Sequence, residues 1–256
     1  MSFIVGDLIR EVFMKLLLSL LAVLAIAAFA QDPANILIYH DVSGGYGDTV
    51  DTAAQALWSS ANIESYTGQP GGQQAAFNAA LDGGTDWDIV VLECWYANTN
   101  DIDWASLLAH YNAGDFILYV SNWQWQSGTS GQAALGAAMG VSSFAGFGTP
   151  VIPHYAWEPS HDICSGISDW SWADPGLGIL NCRLTVTDAV PVTGWTASAS
   201  AGQAGICVAN DGYSIVNGYT LAYAAQADDL WTNVYNFMWR DTALSRETWG
   251  GIKASF

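Results

Sequence analysis

Asn35-Ile-Leu-Ile-Tyr-His40, Asp88-Ile-Val-Val-Leu-Glu93 and Phe116-Ile-Leu-Tyr-Val120 decide the fold of this 256-residue chain. Each is a short apolar run that closes on polar residues, the pattern of a strand buried on both faces. Ile63 to Tyr66 adds a shorter strand between the first two. Helical spacing fills the gaps. Thr49 to Ser60 carries Val50, Ala53, Ala54, Leu57 and Trp58 in register, with Asp48 as its N-cap. Gln73 to Leu81 aligns Ala76, Phe77, Ala80 and Leu81; Asp103 to Ala113 aligns Trp104, Leu107, Leu108 and Tyr111; Gly131 to Met139 is a helix of small residues. Parallel neighbours need a crossover connection, and such helices supply it. The expected fold is therefore α/β: a three-layer α/β/α, doubly wound, mostly parallel sheet.

Beyond residue 145 the pattern changes. Pro150, Pro153, Pro159 and Pro175 stand among Trp157, Trp170 and Trp172, so about 146–204 reads as a Pro/Trp-rich excursion packed over the sheet. Regularity returns in Gly205 to Ala209, Asn210-Asp211-Gly212 and Tyr213 to Val216, a late β-hairpin signal. Ala227 to Trp239 closes the domain as a helix with Leu230, Trp231, Val234, Phe237 and Met238 inward. Residues 31–240 thus form the domain, and 241–256 a C-terminal tail.

The N-terminus reads as an export signal. Leu16 to Ala30 is an apolar run behind Met14-Lys15, closed by Ala28-Phe29-Ala30. It is shorter than the roughly 20 residues a helix needs to cross a bilayer, so 1–30 is expected to be a cleaved signal peptide, with 1–13 an upstream extension and no membrane span afterwards. The expected location is secreted, periplasmic or cell-surface. Formal charge is −18, from 6 Lys+Arg against 24 Asp+Glu, which repels a phosphate backbone and argues against nucleic acid. Outside the cell disulfides persist. Of the pairings open to four cysteines, Cys164–Cys182 is favoured because both fall in the irregular stretch; Cys94 and Cys207 sit in apolar runs where a buried thiol fits equally well. No Cys or His spacing pre-forms a zinc site, and Asn98 to Asp103 reads more simply as the N-cap region of a helix than as a calcium loop. Neither a metal nor a cofactor is expected.

The succession Asn35–His40, Asp88–Glu93, a helix ending Tyr111-Asn-Ala-Gly114 and then Phe116–Ser121 resembles the class I glutamine amidotransferase-like (flavodoxin-like) fold, in its secreted, ThuA-like branch. The resemblance implies a nucleophile on a tight turn after the fourth strand, in a Gly-x-Cys-x-Gly pattern. Here that turn is Tyr119-Val120-Ser121-Asn122-Trp123. Ser121 takes the nucleophile's place, the catalytic cysteine is absent, and no His-x-Glu pair follows a late strand. Glutamine hydrolysis is not expected.

Ligands in such sheets bind at the carboxyl ends of the strands. There, Ser121 is a candidate nucleophile with His154 or His161 as its base, or an ordinary polar strand cap. Glu93 is a candidate acid or base, or a carboxylate held by loop amides; His40 and Asp41 complete that polar cluster. The aromatics Trp95, Tyr96, Trp123 and Trp125 follow strand ends, and Trp157 comes from the excursion. Rings with polar tips suit a sugar, although they also fill cores. The resulting expectation is a non-catalytic, carbohydrate-binding secreted domain. A hydrolase using Ser121 and a structural or adhesive surface module are the competing readings.

Overall fold

Apolar alternation places Ile36, Ile38, Ile89, Val91, Ile117 and Tyr119 on one face of a central sheet, and Leu37, Tyr39, Val90, Leu92, Leu118 and Val120 on the other. Both faces are buried, as a parallel sheet between helical layers requires. The computed structural model describes residues 32–42, 48–68, 72–94, 101–122, 130–148, 153–171 and 181–240, together with Lys15. Pro33–Trp239 make up one compact unit. The expected signal peptide, apart from Lys15, and the tail lie outside the described residues.

The chain runs β1 (Asn35–His40), α1 (Thr49–Leu57), β2 (Asn62–Thr67), α2 (Gln74–Leu81), β3 (Ile89–Cys94), α3 (Trp104–Ala113), β4 (Ile117–Asn122) and α4 (Ser130–Ala138). Then come β5 (Val141–Gly148), β6 (His154–Ala156), β7 (Asp169–Trp170), β8 (Asn181–Val186), β9 (Val190–Pro191), β10 (Thr193–Gly194), β11 (Ile206–Val208), β12 (Ile215–Asn217) and α5 (Ala227–Trp239). The main sheet has the order β2-β1-β3-β4-β12-β11-β9. Its first five members are parallel; β11 runs antiparallel to β12, and β9 antiparallel to β11. This is the flavodoxin-type order, with β12 in the fifth place. The α/β/α architecture expected from the sequence is the observed one.

Helix α1 and helix α5 cover the Ile36/Tyr119 face, while α2, α3 and α4 cover the other. Asp103 caps α3, its carboxylate accepting the amides of Ala105 and Ser106. Asp48, expected to cap α1, makes no side-chain cap; its carbonyl accepts the Thr52 amide instead. The hairpin loop is held by Asp211, which accepts the amides of Tyr213 and Ser214. It turns at Gly212, whose φ of +81° a side chain would resist.

The described part of the excursion consists mainly of strands, with a 3₁₀ turn at Asp162–Cys164. β5 pairs with β8, and β10-β6-β7 form a second small sheet. Its residues feed both cores: Ile163, Trp170, Val192 and Trp195 join α1 and α5, whereas Cys182 and Leu184 join α2 to α4. That distribution corrects the favoured cross-link. No disulfide forms, because Cys164 lies in one core cluster and Cys182 in the other. All four cysteines are buried, and burial pushes the Cys94 and Cys164 thiols up, Cys164 to about 11.

Candidate functional site

Four neighbouring parallel strands place a polar residue at one level near their carboxyl ends. His40 of β1 stands opposite Glu93 of β3, Glu93 opposite Ser121 of β4, and Ser121 opposite Asn217 of β12. All four are buried, and Glu93, Ser121 and Asn217 are wholly inaccessible. The row lies one position beyond the apolar residues of each strand, so the same alternation that builds the core sets these groups on its rim.

Each group is engaged by the protein itself. Glu93 Oε1 accepts the Ala222 amide at 2.9 Å, and the neighbouring Leu221 amide also favours the charged carboxylate. Burial pushes its pKa up to about 7, against the pull of those amides and of His40; Asp41 adds to the rise. His40 Nε2 meets Asp51 Oδ2 at 3.0 Å. Burial presses the His40 pKa down, but Asp51, Glu93 and Asp48 outweigh it and hold the imidazole above its ordinary value. Asn217 donates to the Tyr119 hydroxyl at 3.1 Å and accepts the Tyr219 amide. The Ser121 hydroxyl faces that same Tyr119 hydroxyl and bonds no imidazole. Trp231 of α5 packs against Tyr119, with ring centroids 4.8 Å apart and the planes tilted by 57°. Tyr235, one turn on, donates to the Val50 carbonyl.

The two histidines of the excursion sit elsewhere. His154 is enclosed by Trp170, Trp195 and Tyr219 at centroid distances of 4.7, 4.3 and 4.8 Å. Its Nε2 lies 2.7 Å from the Thr193 hydroxyl, which itself accepts the Ile206 amide. Burial pushes its pKa down to about 3, so the ring is neutral at physiological pH. His161 accepts the Ile163 amide on Nδ1 and packs on Phe237. Neither is hydrogen-bonded to Ser121, so a Ser–His pair is not assembled among the described residues.

Trp157 is half-buried and donates Nε1–H to the Thr196 carbonyl at 2.7 Å. Trp95, Tyr96, Trp123 and Trp125 lie outside the described residues, as do Asn98 to Asn100. Among the described residues, no group of three or more His, Cys, Asp or Glu is placed to hold a metal, and no helix is long and apolar enough to cross a membrane. Asp51, Thr193 and Asn217 escaped the sequence reading, which met Tyr119 only as part of the turn holding Ser121. Asn217 alone carried a visible signal, as the polar close of the Ile215-Val216 run.

No family model matches the chain, and no curated protein matches it in sequence. Among solved structures it is similar to the cold-adapted β-galactosidase from Rahnella sp. R3, with 14% identity, a TM-score of 0.45, and 90% of this chain aligned to 33% of that one. A β-galactosidase from Bacillus circulans sp. alkalophilus gives 10% identity and a TM-score of 0.46, over 80% of this chain and 30% of that one. The glutaminase domain of Trypanosoma brucei CTPS with bound acivicin gives 10% and 0.41, over 83% and 94%. The chain spans about a third of the length of the two β-galactosidases. TM-scores below 0.5 assign it neither family nor activity.

Proposed function

We propose that the protein is an exported, non-catalytic binding domain whose ligands are carbohydrates. One observation carries the non-catalytic half: Ser121 is fully buried and bonds no imidazole, while the Ala222 amide beside Glu93 is already taken by its carboxylate. A nucleophile needs a base within hydrogen-bond reach and an approach for substrate, and donors already bonded to a resident carboxylate are not available to a developing oxyanion. The aromatic content of the strand ends and excursion supports the carbohydrate half. A hydrolase built on Ser121 with Glu93 as its base draws on a different fact: Glu93 stands opposite Ser121 with a pKa near 7, where acid–base chemistry operates.

The test exposes the full chain and its Ser121→Ala variant to a glycan array, and assays both for release of ammonia from glutamine and for hydrolysis of a chromogenic ester. Glycan binding that survives Ser121→Ala, without turnover, is the expected result. Turnover abolished by Ser121→Ala would establish the hydrolase instead. Neither binding nor turnover would leave the adhesive or structural module standing. Export is checked by N-terminal sequencing of secreted protein, which should begin at Gln31.

A further inference from the structure

A cleft of about 270 Å³ opens between β8 and the 199–204 segment, lined by Trp157, Leu184, Thr185, Val186, Pro191 and Ser200 among others. Trp157 is held there before any ligand arrives. Its indole N–H is bonded to Thr196, its backbone amide donates to the Val192 carbonyl at 3.0 Å, and its ring lies against Gly194. Any Cβ at Gly194 would come within 2.0 Å of Trp157 Cζ2, so the ring occupies the space a larger residue would need. The polar edge of the indole is thereby turned to the protein, and the part left half-exposed borders the cleft.

Charge selects the class of ligand. The chain carries −18, yet no ionisable side chain is among the described residues lining this cleft. Arg183, next in sequence to Leu184, bonds the Gln203 side chain at 2.9 Å. A charged ligand would shed hydration here without gaining a counter-charge. A wholly apolar one would strip water from the Thr185 and Ser200 hydroxyls and give no hydrogen bond back. A neutral ring with an apolar face and a hydroxylated rim satisfies both the indole and the hydroxyls.

We propose that this cleft is a subsite for a single neutral pyranose ring, with Trp157 as its platform. The inference rests on the carbohydrate-binding reading and gives it a location. It is tested with the full chain by saturation-transfer NMR and calorimetry against methyl glucopyranoside, methyl galactopyranoside and N-acetylglucosamine, with glucuronate as the charged comparison, alongside the glycan array. Trp157→Ala removes the platform. Ala201→Trp blocks the cleft from an exposed position on its lining and leaves the core untouched, so it answers the question even if Trp157→Ala folds poorly. At least a tenfold loss of affinity in Ala201→Trp and in any folded Trp157→Ala, with glucuronate bound at least tenfold more weakly than the neutral sugars, supports the subsite. Undiminished array binding in Ala201→Trp would overturn the location and leave the carbohydrate reading intact. Glucuronate bound as tightly as the neutral sugars would overturn the argument from charge. Absence of any glycan binding by the unmodified protein would overturn the reading itself, and the subsite with it.

Discussion

The Glu93 carboxylate bonds the Ala222 amide at 2.9 Å, joining groups 129 residues apart in a site with no solvent access. The bond ties the short 3₁₀ turn Leu221–Tyr223 to the end of β3 and so fixes the approach to α5. One oxygen of the carboxylate has a backbone donor, yet its second oxygen, Oε2, is buried without a hydrogen bond. The residue is therefore a tether with an electrostatic cost, and that cost is measurable.

Glu93→Gln should stabilise the protein above pH 7. Because the folded pKa is raised from 4.5 to about 7, the unfolded chain releases its proton first. Stability from this group is full below pH 4.5 and declines as pH rises towards 7. Glutamine keeps the acceptor and removes the charge, for a gain of up to about 3 kcal/mol at pH 8. Urea melts of both proteins from pH 4.5 to 8.5 check this, and an unchanged slope in the variant would refute it. Glu93→Ala, which leaves the buried Ala222 amide unpaired, should destabilise by about 1–3 kcal/mol.

His154 acts in the opposite sense. With its folded pKa lowered to about 3, the unfolded chain binds the proton first, so stability is lost as pH falls from 6.5 towards 3. Between 4.5 and 6.5 the slopes from His154 and Glu93 oppose each other and nearly cancel. His154→Gln should flatten the acid limb, read as the slope of stability against pH rather than its absolute value. In the unmodified protein, NMR should find no titration of this ring above pH 5.

His110 bridges two aspartates, Nδ1 to Asp115 at 2.8 Å and Nε2 to Asp82 at 3.1 Å. Bonding to Asp115 foremost, opposed by partial burial and helped by Asp82, raises its pKa. The contribution is full below pH 6.5 and disappears as pH rises through the folded value. Both aspartates are about half exposed, so the effect should amount to only a few tenths of a kcal/mol and shrink in high salt. A comparison with His110→Gln at pH 5.5 and 8.5, with and without 0.5 M salt, measures it.

Asp103→Ala should cost about 1 kcal/mol, the ordinary penalty for an N-cap that serves two amides. Thermal melts at neutral pH suffice, and Asp103→Asn should restore most of the loss.

The parallel half of the sheet was legible because β1, β3 and β4 are apolar on both faces, and because the intervening helices show their spacing. The hairpin was legible from Asn210-Asp211-Gly212. Its placement was not: local pattern says nothing about which neighbour Ile215 chooses, and β12 lies parallel to β4 through the Ile215–Tyr119 register. The excursion's strands, most of them two or three residues long, are too short for a periodicity to emerge. At the site, Glu93 and Ser121 stood out as polar ends of apolar runs. Asp51 and Thr193 could not, since their partners His40 and His154 meet them only in the folded chain.

The fifth place in the main sheet is filled late. Leu118 bonds Ser214 across 96 residues of chain, and every parallel contact on that side of β4 waits for Ile215–Asn217. A chain cleaved or halted short of these residues presents Ile117–Asn122 as a bare ribbon of backbone donors and acceptors, flanked by apolar side chains. Such a fragment should cling to its own kind and precipitate, so the protein's solubility is secured by its last third.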